Sequence, residues 1–411
     1  MPKLEVSLIW QGCARGKYTV RARGCILAVL RWGTAEAPLE NWGPFAYVPV
    51  DPVGNGAFFF EGFRGIPVEA THVWAACWAG DFSSREDVSA PIPAQFLPEA
   101  DTPEDTLRFS VLTDLHLNSK PWMIRQALRS AESGFIFLLG DSSNDGLKEQ
   151  FDAFGACIDE IVPEKIILPV TGNHDVLHAY RDASQDGCGN YAAFQKWLLQ
   201  KAEARGYGIS FDPEGRAYAL KIGSLDVIGL QCVTDKRRFL FPEGRQIDWL
   251  EDRLRFTAAA WHIILCHAPL LKHNPNRNEG MPYLDKNRRL QELVDSTGGV
   301  IFLNGHTHVS PNGPEGNGEF DKPRRNIYLD CGSVVATDIS RIDGLMAPDW
   351  KDGCVTELAV ARDLVEIRMR SVRSGIGFPR GYYRFPTGNT EAGGPYTVPP
   401  VKKGHMRPVR E

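Results

Sequence analysis

Five short polar motifs in the middle of the chain each follow a run of apolar residues of strand length. In chain order the motifs are Asp114-Leu115-His116, Gly140-Asp141, Gly172-Asn173-His174-Asp175, His267 and Gly305-His306-Thr307-His308. The runs before them span residues 107–112, 135–139, 165–170, 261–266 and 300–303. In open α/β sheets, ligands bind at the carboxyl ends of the strands, where all five motifs fall. The pattern therefore predicts an α/β fold with one cluster of polar side chains at a sheet edge.

Helical spacing of apolar residues separates most of these runs. It predicts helices over residues 122–132, 147–160, 191–205, 245–256 and 287–295. Further strands are predicted at 217–222, 225–230, 326–329, 354–360 and 364–370, the first two joined by a Gly223-Ser224 hairpin turn. Strands that are continuously apolar indicate sheets covered on both faces.

The first hundred residues differ from the rest of the chain in their pattern of apolar runs and turn residues. Short strand-like runs alternate with Gly/Pro turns roughly every ten residues, which is typical of a small all-β sandwich. We predict an immunoglobulin- or fibronectin-like accessory domain over residues 1–100, joined by a proline-rich linker at 89–103 to a catalytic domain over 101–374. Residues 375–411 form a Gly/Pro-rich C-terminal extension. The many N-terminal aromatic residues favour core or inter-domain packing, with a carbohydrate platform as the alternative.

Composition narrows the class of protein. A hydrophobic content of 43% and a charged content of 24% exclude global disorder. The net charge of −5 argues against a partner that is a nucleic-acid polymer. Neither a signal peptide nor an apolar run long enough to span a membrane is visible, so we expect a cytoplasmic protein without a membrane partner. The nine scattered cysteines contain no CxxC pair and are expected to be reduced.

The polar motifs have the composition of a metal site. Residues two apart in an extended chain project to the same side, so Asp114 and His116 can bind one ion, as can His306 and His308. Carboxylate, amide and imidazole donors together suit Zn²⁺, Mn²⁺ or Fe better than Ca²⁺. Seven candidate ligands are too many for one tetrahedral ion and about right for two ions bridged by one carboxylate, as in other two-metal sites.

The motif order DLH, GD, GNHD, H and GHTH resembles the calcineurin-like metallophosphoesterase superfamily over roughly residues 106–335. The resemblance implies a four-layer αββα sandwich of two mixed sheets between helices, with a dinuclear metal centre. It implies a first metal held by Asp114, His116, Asp141 and His308. It implies a second metal held by Asp141 as the bridge, with Asn173, His267 and His306. It also makes a metal-bridging hydroxide the nucleophile and His174 the general acid, with Asp175 as a second catalytic residue that orients His174.

Two differences in the GD motif argue against membership of two subfamilies. Purple acid phosphatases carry a Tyr where this chain has Asn144, and the GDxxDRG motif of protein Ser/Thr phosphatases lacks its Arg here. The motifs look closest to bacterial class III phosphodiesterase-like proteins, by analogy of fold. We therefore expect a phosphodiesterase acting on a small phosphate-ester substrate with two Mn, Zn or Fe ions. The alternatives are a phosphomonoesterase, a non-catalytic interaction scaffold with the same fold, and a carbohydrate-binding enzyme.

Overall fold

The computed structural model describes most of the catalytic region and parts of the N-terminal region. The described residues are 3–9, 15–22, 24–25, 27–39, 46–61, 72–78, 85–88, 92–93, 105–117, 121–177, 187–231, 245–270, 273, 288–308, 311, 317–335, 353–372 and 377–386.

The N-terminal region forms antiparallel sheets, as predicted. Its strands are β1 (Lys3–Ile9), β2 (Arg15–Arg21), β3 (Leu27–Gly33), β4 (Ala46–Pro49), β5 (Asn55–Glu61), β6 (His72–Trp78), β7 (Arg85–Val88) and β8 (Ile92–Pro93). One sheet has the order β1-β2-β5, and the other has the order β4-β3-β6-β7, with β8 pairing to β6. The Trp32 side chain is fully buried, which agrees with a packing role for this aromatic residue.

The rest of the chain alternates strands and helices. Its strands are β9 (Leu107–Leu112), β10 (Phe135–Leu138), β11 (Ile166–Pro169), β12 (Ile209–Phe211), β13 (Tyr218–Ile222), β14 (Leu225–Gly229), β15 (Trp261–Leu265), β16 (Val300–Asn304), β17 (Gly318–Asp321), β18 (Asn326–Asp330), β19 (Cys354–Val360), β20 (Leu364–Ser371) and β21 (Gly377–Pro386). Its described helices are α1 (Pro121–Ser130), α2 (Lys148–Ile161), α3 (Gly187–Glu203), α4 (Arg245–Phe256) and α5 (Arg288–Ser296).

These strands form two mixed sheets. The first has the order β11-β10-β9-β19-β20-β21, in which β9, β10 and β11 are parallel and the others antiparallel. The second has the order β12-β13-β14-β15-β16-β18-β17, with a parallel centre from β14 to β18. Each group of parallel strands sends its carboxyl ends to one edge of its own sheet.

Three apolar clusters define four layers. The inner faces of both sheets share one core, which includes Phe137 of the first sheet and Leu265 of the second. A second cluster joins the outer face of the first sheet to α1, α2 and α3, and a third joins the outer face of the second sheet to α4 and α5. The predicted αββα sandwich is confirmed. Helix α4 illustrates the cause, because Ile247, Leu250 and Leu254 recur every three or four residues and are all buried.

Two predicted boundaries need correction. Strand β21 lies inside the predicted C-terminal extension yet pairs antiparallel with β20, so the first sheet continues to residue 386. Tyr383 and Phe385 alternate along β21 and are buried in the inter-sheet core, which explains why the segment joins the sheet. Likewise Ile92–Pro93, inside the predicted linker, pairs with β6. The rest of the linker and residues 387–411 lie outside the described residues. Backbone contacts join β21 to β5 of the N-terminal region.

No helix among the described residues is both long enough and apolar enough to cross a membrane.

A buried ion pair at the amino end of β14 provides a test of the fold. Asp226 is fully buried, and Arg253 Nε donates to it at 3.0 Å while His262 Nδ1 lies 3.2 Å away. Burial by itself would raise the pKa of Asp226, but the hydrogen bonds from His262 and Arg253 outweigh it and lower the pKa below its ordinary value. We expect Asp226→Asn to lower the free energy of unfolding by ~3 kcal/mol at pH 7, because it leaves a mostly buried guanidinium without its counter-ion. Urea denaturation would measure this loss.

The unfolding free energy lost in Asp226→Asn should become smaller as the pH falls. A carboxylate with a lowered pKa stabilises the fold above the pKa of the unfolded state, so the difference between the two proteins should shrink as the pH falls below about 4. Asp152→Asn is the matched control, since Asp152 forms an exposed pair with Lys148 and should change stability little. Equal effects of the two substitutions would contradict the prediction.

Candidate metal centre

The five motifs converge where the carboxyl ends of the two sheets meet. Three of them follow β9, β10 and β11 of the first sheet, and two follow β15 and β16 of the second. Since all five strands belong to the parallel parts of their sheets, their carboxyl ends face the same crevice.

The first group of potential ligands consists of Asp114, His116 and His308, whose ligand atoms lie within 4.8 Å of one another. His308 Nε2 lies 3.0 Å from Asp114 Oδ1 and 3.2 Å from His116 Nε2. The loop after β9 of the first sheet and the loop after β16 of the second sheet therefore direct their donors to one position.

The second group consists of Asp141, His267 and His306, again within 4.8 Å of one another. His267 Nε2 lies 3.3 Å from Asp141 Oδ2 and 3.3 Å from Asn173 Oδ1. The family resemblance predicted four ligands of the second metal, and the structure brings all four together: Asp141, Asn173, His267 and His306.

A third group links the other two. His116, Asp141 and His174 also lie within 4.8 Å of one another, and His116 Nε2 is 3.8 Å from Asp141 Oδ2. Asp141 thus adjoins both groups, which is the position that the sequence analysis gave to a bridging carboxylate.

The buried donors fit cations. Asp114 and Asp141 are 0% and 1% exposed and lie in a site with no described lysine or arginine among their main electrostatic neighbours. Asp114 Oδ1 accepts no hydrogen bond of acceptable geometry among the described residues, although His308 Nε2 lies 3.0 Å away. A buried carboxylate oxygen without a well-formed hydrogen bond is costly unless a cation faces it. This carboxylate and imidazole set suits Zn²⁺, Mn²⁺ or Fe, so the residues present fit divalent metals.

The electrostatics of the site favour metal-binding protonation states. Burial acts to raise the pKa of Asp114 and of Asp141, but nearby histidines, His308 and His267 respectively, outweigh it and lower both pKa values. Burial, together with the neighbouring His267, lowers the pKa of His306 to about 3. Ionised carboxylates and neutral imidazoles are the forms that bind a metal.

The predicted ligands have unusual backbone conformations, which set the directions of their side chains. Five of the predicted ligands have left-handed φ angles: Asp114 (52°), His116 (44°), Asp141 (50°), His306 (72°) and His308 (55°). Non-glycine residues rarely adopt this conformation, and each such residue costs roughly 1–3 kcal/mol unless its surroundings hold it. Hydrogen bonds from Asp114 N to Gly140 O and from His116 N to Asp141 O hold two of these loops side by side.

Two glycines permit the close approach of the loops. A Cβ atom on Gly172 would lie 2.2 Å from Asp141 Oδ1, and one on Gly305 would lie 2.0 Å from Thr113 Oγ1. Because glycine has no Cβ atom, it lets the two backbones come this close.

His174 is held beside the two metal groups by its backbone and by its ring. Its backbone N–H donates to Asp141 Oδ1 at 2.7 Å, and its ring Nδ1 lies 2.8 Å from the carbonyl oxygen of Asn144. Because a carbonyl only accepts, Nδ1 carries the proton of this bond and Nε2 is the nitrogen left for chemistry.

The predicted role of Asp175 as the residue that orients His174 needs correction. The Asp175 carboxylate accepts hydrogen bonds from Gly172 N at 2.9 Å and from Ser143 N at 2.8 Å, while Asn144 holds the ring of His174. Burial, and next the charge of Asp141, raise the pKa of Asp175 to about 7. Asp175 therefore joins two ligand loops and does not contact the imidazole.

Sequence reasoning missed the residues that support the loops. Thr113 Oγ1 donates to Asp114 Oδ2 at 2.7 Å, and Ser333 Oγ donates to the Asp114 carbonyl at 3.2 Å. The position of Thr113 directly before a ligand was a usable signal, whereas Ser333 lies 219 residues away in sequence.

By their place in the chain after His267, several polar residues are candidates for substrate contacts. His273 instead stacks on Tyr328, with ring centroids 3.5 Å apart, and lies between Asp295 and Glu319. Arg288 pairs with Glu292, and Arg289 with Asp248, on the exposed helical surface. Arg277 and His178, which lie near the ligand motifs in the sequence, are outside the described residues.

Comparisons with known proteins agree with this geometry. Residues 107–310, just under half of the chain, match the family model described as Calcineurin-like phosphoesterase. This segment is a calcineurin-like phosphoesterase domain, of a family that uses divalent metals. No curated protein shows significant sequence similarity to the chain.

Several solved structures are similar to this chain at low sequence identity. PhoD has a TM-score of 0.44 and 11% identity, over 94% of this chain and 92% of that one. GAP50, the anchor in the inner membrane complex of Plasmodium, has a TM-score of 0.41 and 15% identity, over 70% and 90%. Vacuolar Protein Sorting 29 from Cryptosporidium parvum has a TM-score of 0.32 and 12% identity, over 68% and 98%.

The close approach at Gly305 gives a testable prediction. In Gly305→Ala the new methyl group would also lie 2.7 Å from Asp114 Oδ2, so this ligand must move. We expect the affinity for Mn²⁺ or Zn²⁺ to fall by roughly 10–100-fold, as for other changes that displace metal ligands, in titration calorimetry. Gly134→Ala is the control, because no described atom lies within 4 Å of its Cβ position. Unchanged affinity in Gly305→Ala would refute the prediction.

Proposed function

We propose that this chain is a dinuclear metal-dependent phosphodiesterase for small phosphate esters. The observation that carries the proposal is the position of Asp141, whose ligand atoms lie within 4.8 Å of His116 of the first group and of His267 and His306 of the second. A site that holds two cations a few ångströms apart suits the displacement at phosphorus that two-metal enzymes catalyse.

In this proposal Asp114, His116, Asp141 and His308 hold one ion. Asp141, Asn173, His267 and His306 hold the other. The ions are Mn, Zn or Fe. When bound, such a pair supplies a nucleophile from water near neutral pH and neutralises the charge of the phosphate group.

We assign the protein's own proton transfer to His174. Its ring lies within 4.8 Å of ligand atoms of His116 and Asp141, which supports a position beside the ions, and the Asn144 carbonyl holds its Nδ1. An imidazole there can deliver a proton from Nε2 to the departing alkoxide oxygen. Asp175 supports this role indirectly, because it ties the loop of Ser143 and Asn144 to the loop of Gly172.

The preference for a diester is the finer part of the proposal. The resemblance of the GD and GNHD motifs to class III phosphodiesterase-like proteins supports it. A panel with bis(p-nitrophenyl) phosphate, an alkyl diester and p-nitrophenyl phosphate, each with Mn²⁺, Zn²⁺ and Fe²⁺, tests it. Faster hydrolysis of the monoester would make the enzyme a phosphomonoesterase.

Removing the shared carboxylate tests the dinuclear centre. We expect two metal ions per chain in the reconstituted protein and a weakened affinity for both in Asp141→Asn, because one carboxylate serves both groups. Elemental analysis and metal titration measure this. His267→Ala is the comparison, since it should weaken mainly the second ion. Loss of a single ion from Asp141→Asn would make Asp141 a terminal ligand.

Leaving-group dependence tests His174. In His174→Ala we expect unchanged metal content and a turnover of an alkyl diester reduced by ~10²–10⁴-fold, the usual contribution of general acid catalysis. A p-nitrophenyl diester should lose far less, because p-nitrophenolate departs without a proton. Steady-state kinetics on both substrates measure the ratio. Equal losses on the two substrates would remove the general-acid role, and a loss of metal would make His174 a ligand.

A further inference from the structure

A buried carboxylate outside the ligand set holds the loop that carries His306 and His308. Asp330, the last residue of β18, is 5% exposed. Its Oδ2 accepts hydrogen bonds from Thr307 Oγ1 and, at 3.2 Å, from Asn304 Nδ2, and its Oδ1 accepts from Gly332 N at 2.9 Å. The hydrogen bond to Thr307 ties the centre of the ligand loop to the neighbouring strand.

The strand register places Asp330 where this support is needed. Asn304 pairs with Asp330 in the parallel ladder of β16 and β18, so the carboxylate lies beside the point where the chain leaves β16 for the ligand loop. Thr307 is fully buried, between two histidines that belong to different metal groups.

The backbone of this loop requires such an anchor. His306 and His308 both have left-handed φ angles, a conformation that persists only where the surroundings enforce it. The Thr307 hydroxyl is a side-chain link between the backbone of these two residues and the sheet beneath them.

We propose that Asp330 is a positioning residue for the metal centre: through the Thr307 hydroxyl it fixes His306 and His308, and thereby one ligand of each ion. This inference rests on the proposed function, because it assumes that the two histidines bind metal. Asp330 itself contacts no ion in this arrangement.

The first sheet contributes to the same support. Tyr383 of β21 accepts hydrogen bonds through its hydroxyl oxygen from Asn317 N at 2.7 Å and from Gly318 N at 3.2 Å. Asn317 in turn accepts from Asp330 N at 2.9 Å and donates from Nδ2 to the Asp330 carbonyl at 3.2 Å. The backbone of Asp330 is therefore held from the opposite sheet.

Thr307→Val tests the proposal, because it removes the hydroxyl and keeps the shape of the side chain. We expect both Zn²⁺-binding steps to weaken by ~10–100-fold in calorimetric titration of the full chain, the usual effect of losing a partner that orients a ligand. The visible absorption of the Co²⁺-substituted protein should change as well. Thr307→Ser, which restores the hydroxyl, should recover most of the affinity.

The control is Asp226→Asn, a substitution of another buried aspartate in the same sheet, near the amino end of β14 and away from the ligand motifs. It should lower stability and leave Zn²⁺ affinity and the Co²⁺ spectrum unchanged. Wild-type affinity in Thr307→Val, or an equal loss in Asp226→Asn, would overturn the positioning role while the wild-type chain still binds two ions. A wild-type chain that binds no divalent ion would overturn the proposed function, and this inference with it.

Discussion

The burial of Asp141 is the constraint on which the site depends. This carboxylate is 1% exposed and accepts a hydrogen bond from His174 N, while His267 and His116 face its other oxygen at 3.3 and 3.8 Å. A second buried carboxylate, Asp114, lies in the same site. Removing two anions from water is strongly unfavourable unless positive charge lies nearby. The two buried carboxylates therefore form an anionic, desolvated pocket that divalent cations would stabilise.

The metal centre also explains why two sheets are needed. The first and the second group each take ligands from both sheets: Asp114 and His116 meet His308, and Asp141 meets His267 and His306. The geometry of either group therefore depends on the inter-sheet core, which fixes the distance and angle between the sheets. By the same reasoning, an ion bound by both sheets stabilises their packing, since a ligand that binds only the folded state shifts the folding equilibrium.

Much of this arrangement was predictable because its signals are local in sequence. Apolar runs and helical periodicity gave β9, α4 and β19 with the bounds that the structure has, and most other elements to within a few residues. The ligand set was predictable for the same reason, since each motif directly follows its strand. Short edge strands such as β12 and β17 were missed, because three or four residues of mixed polarity carry no distinct period. The role of Asp175 was misjudged, since proximity in sequence to His174 says nothing about which side chain faces the imidazole.

The supports of the site were less predictable, because they are distant in sequence from the ligands that they hold. Nothing in the motif around Thr307 indicates that its hydroxyl meets Asp330, and nothing in the Gly/Pro-rich C-terminal segment indicates that Tyr383 bonds to the backbone beside Asp330. This distance affects where the functional unit ends. The family match stops at residue 310, yet half of the first sheet, β19 to β21, and the strand that carries Asp330 lie beyond it. A chain cut at residue 310 would keep every predicted ligand and lose strands that support them, so the sheets on which the candidate metal centre rests extend through residue 386.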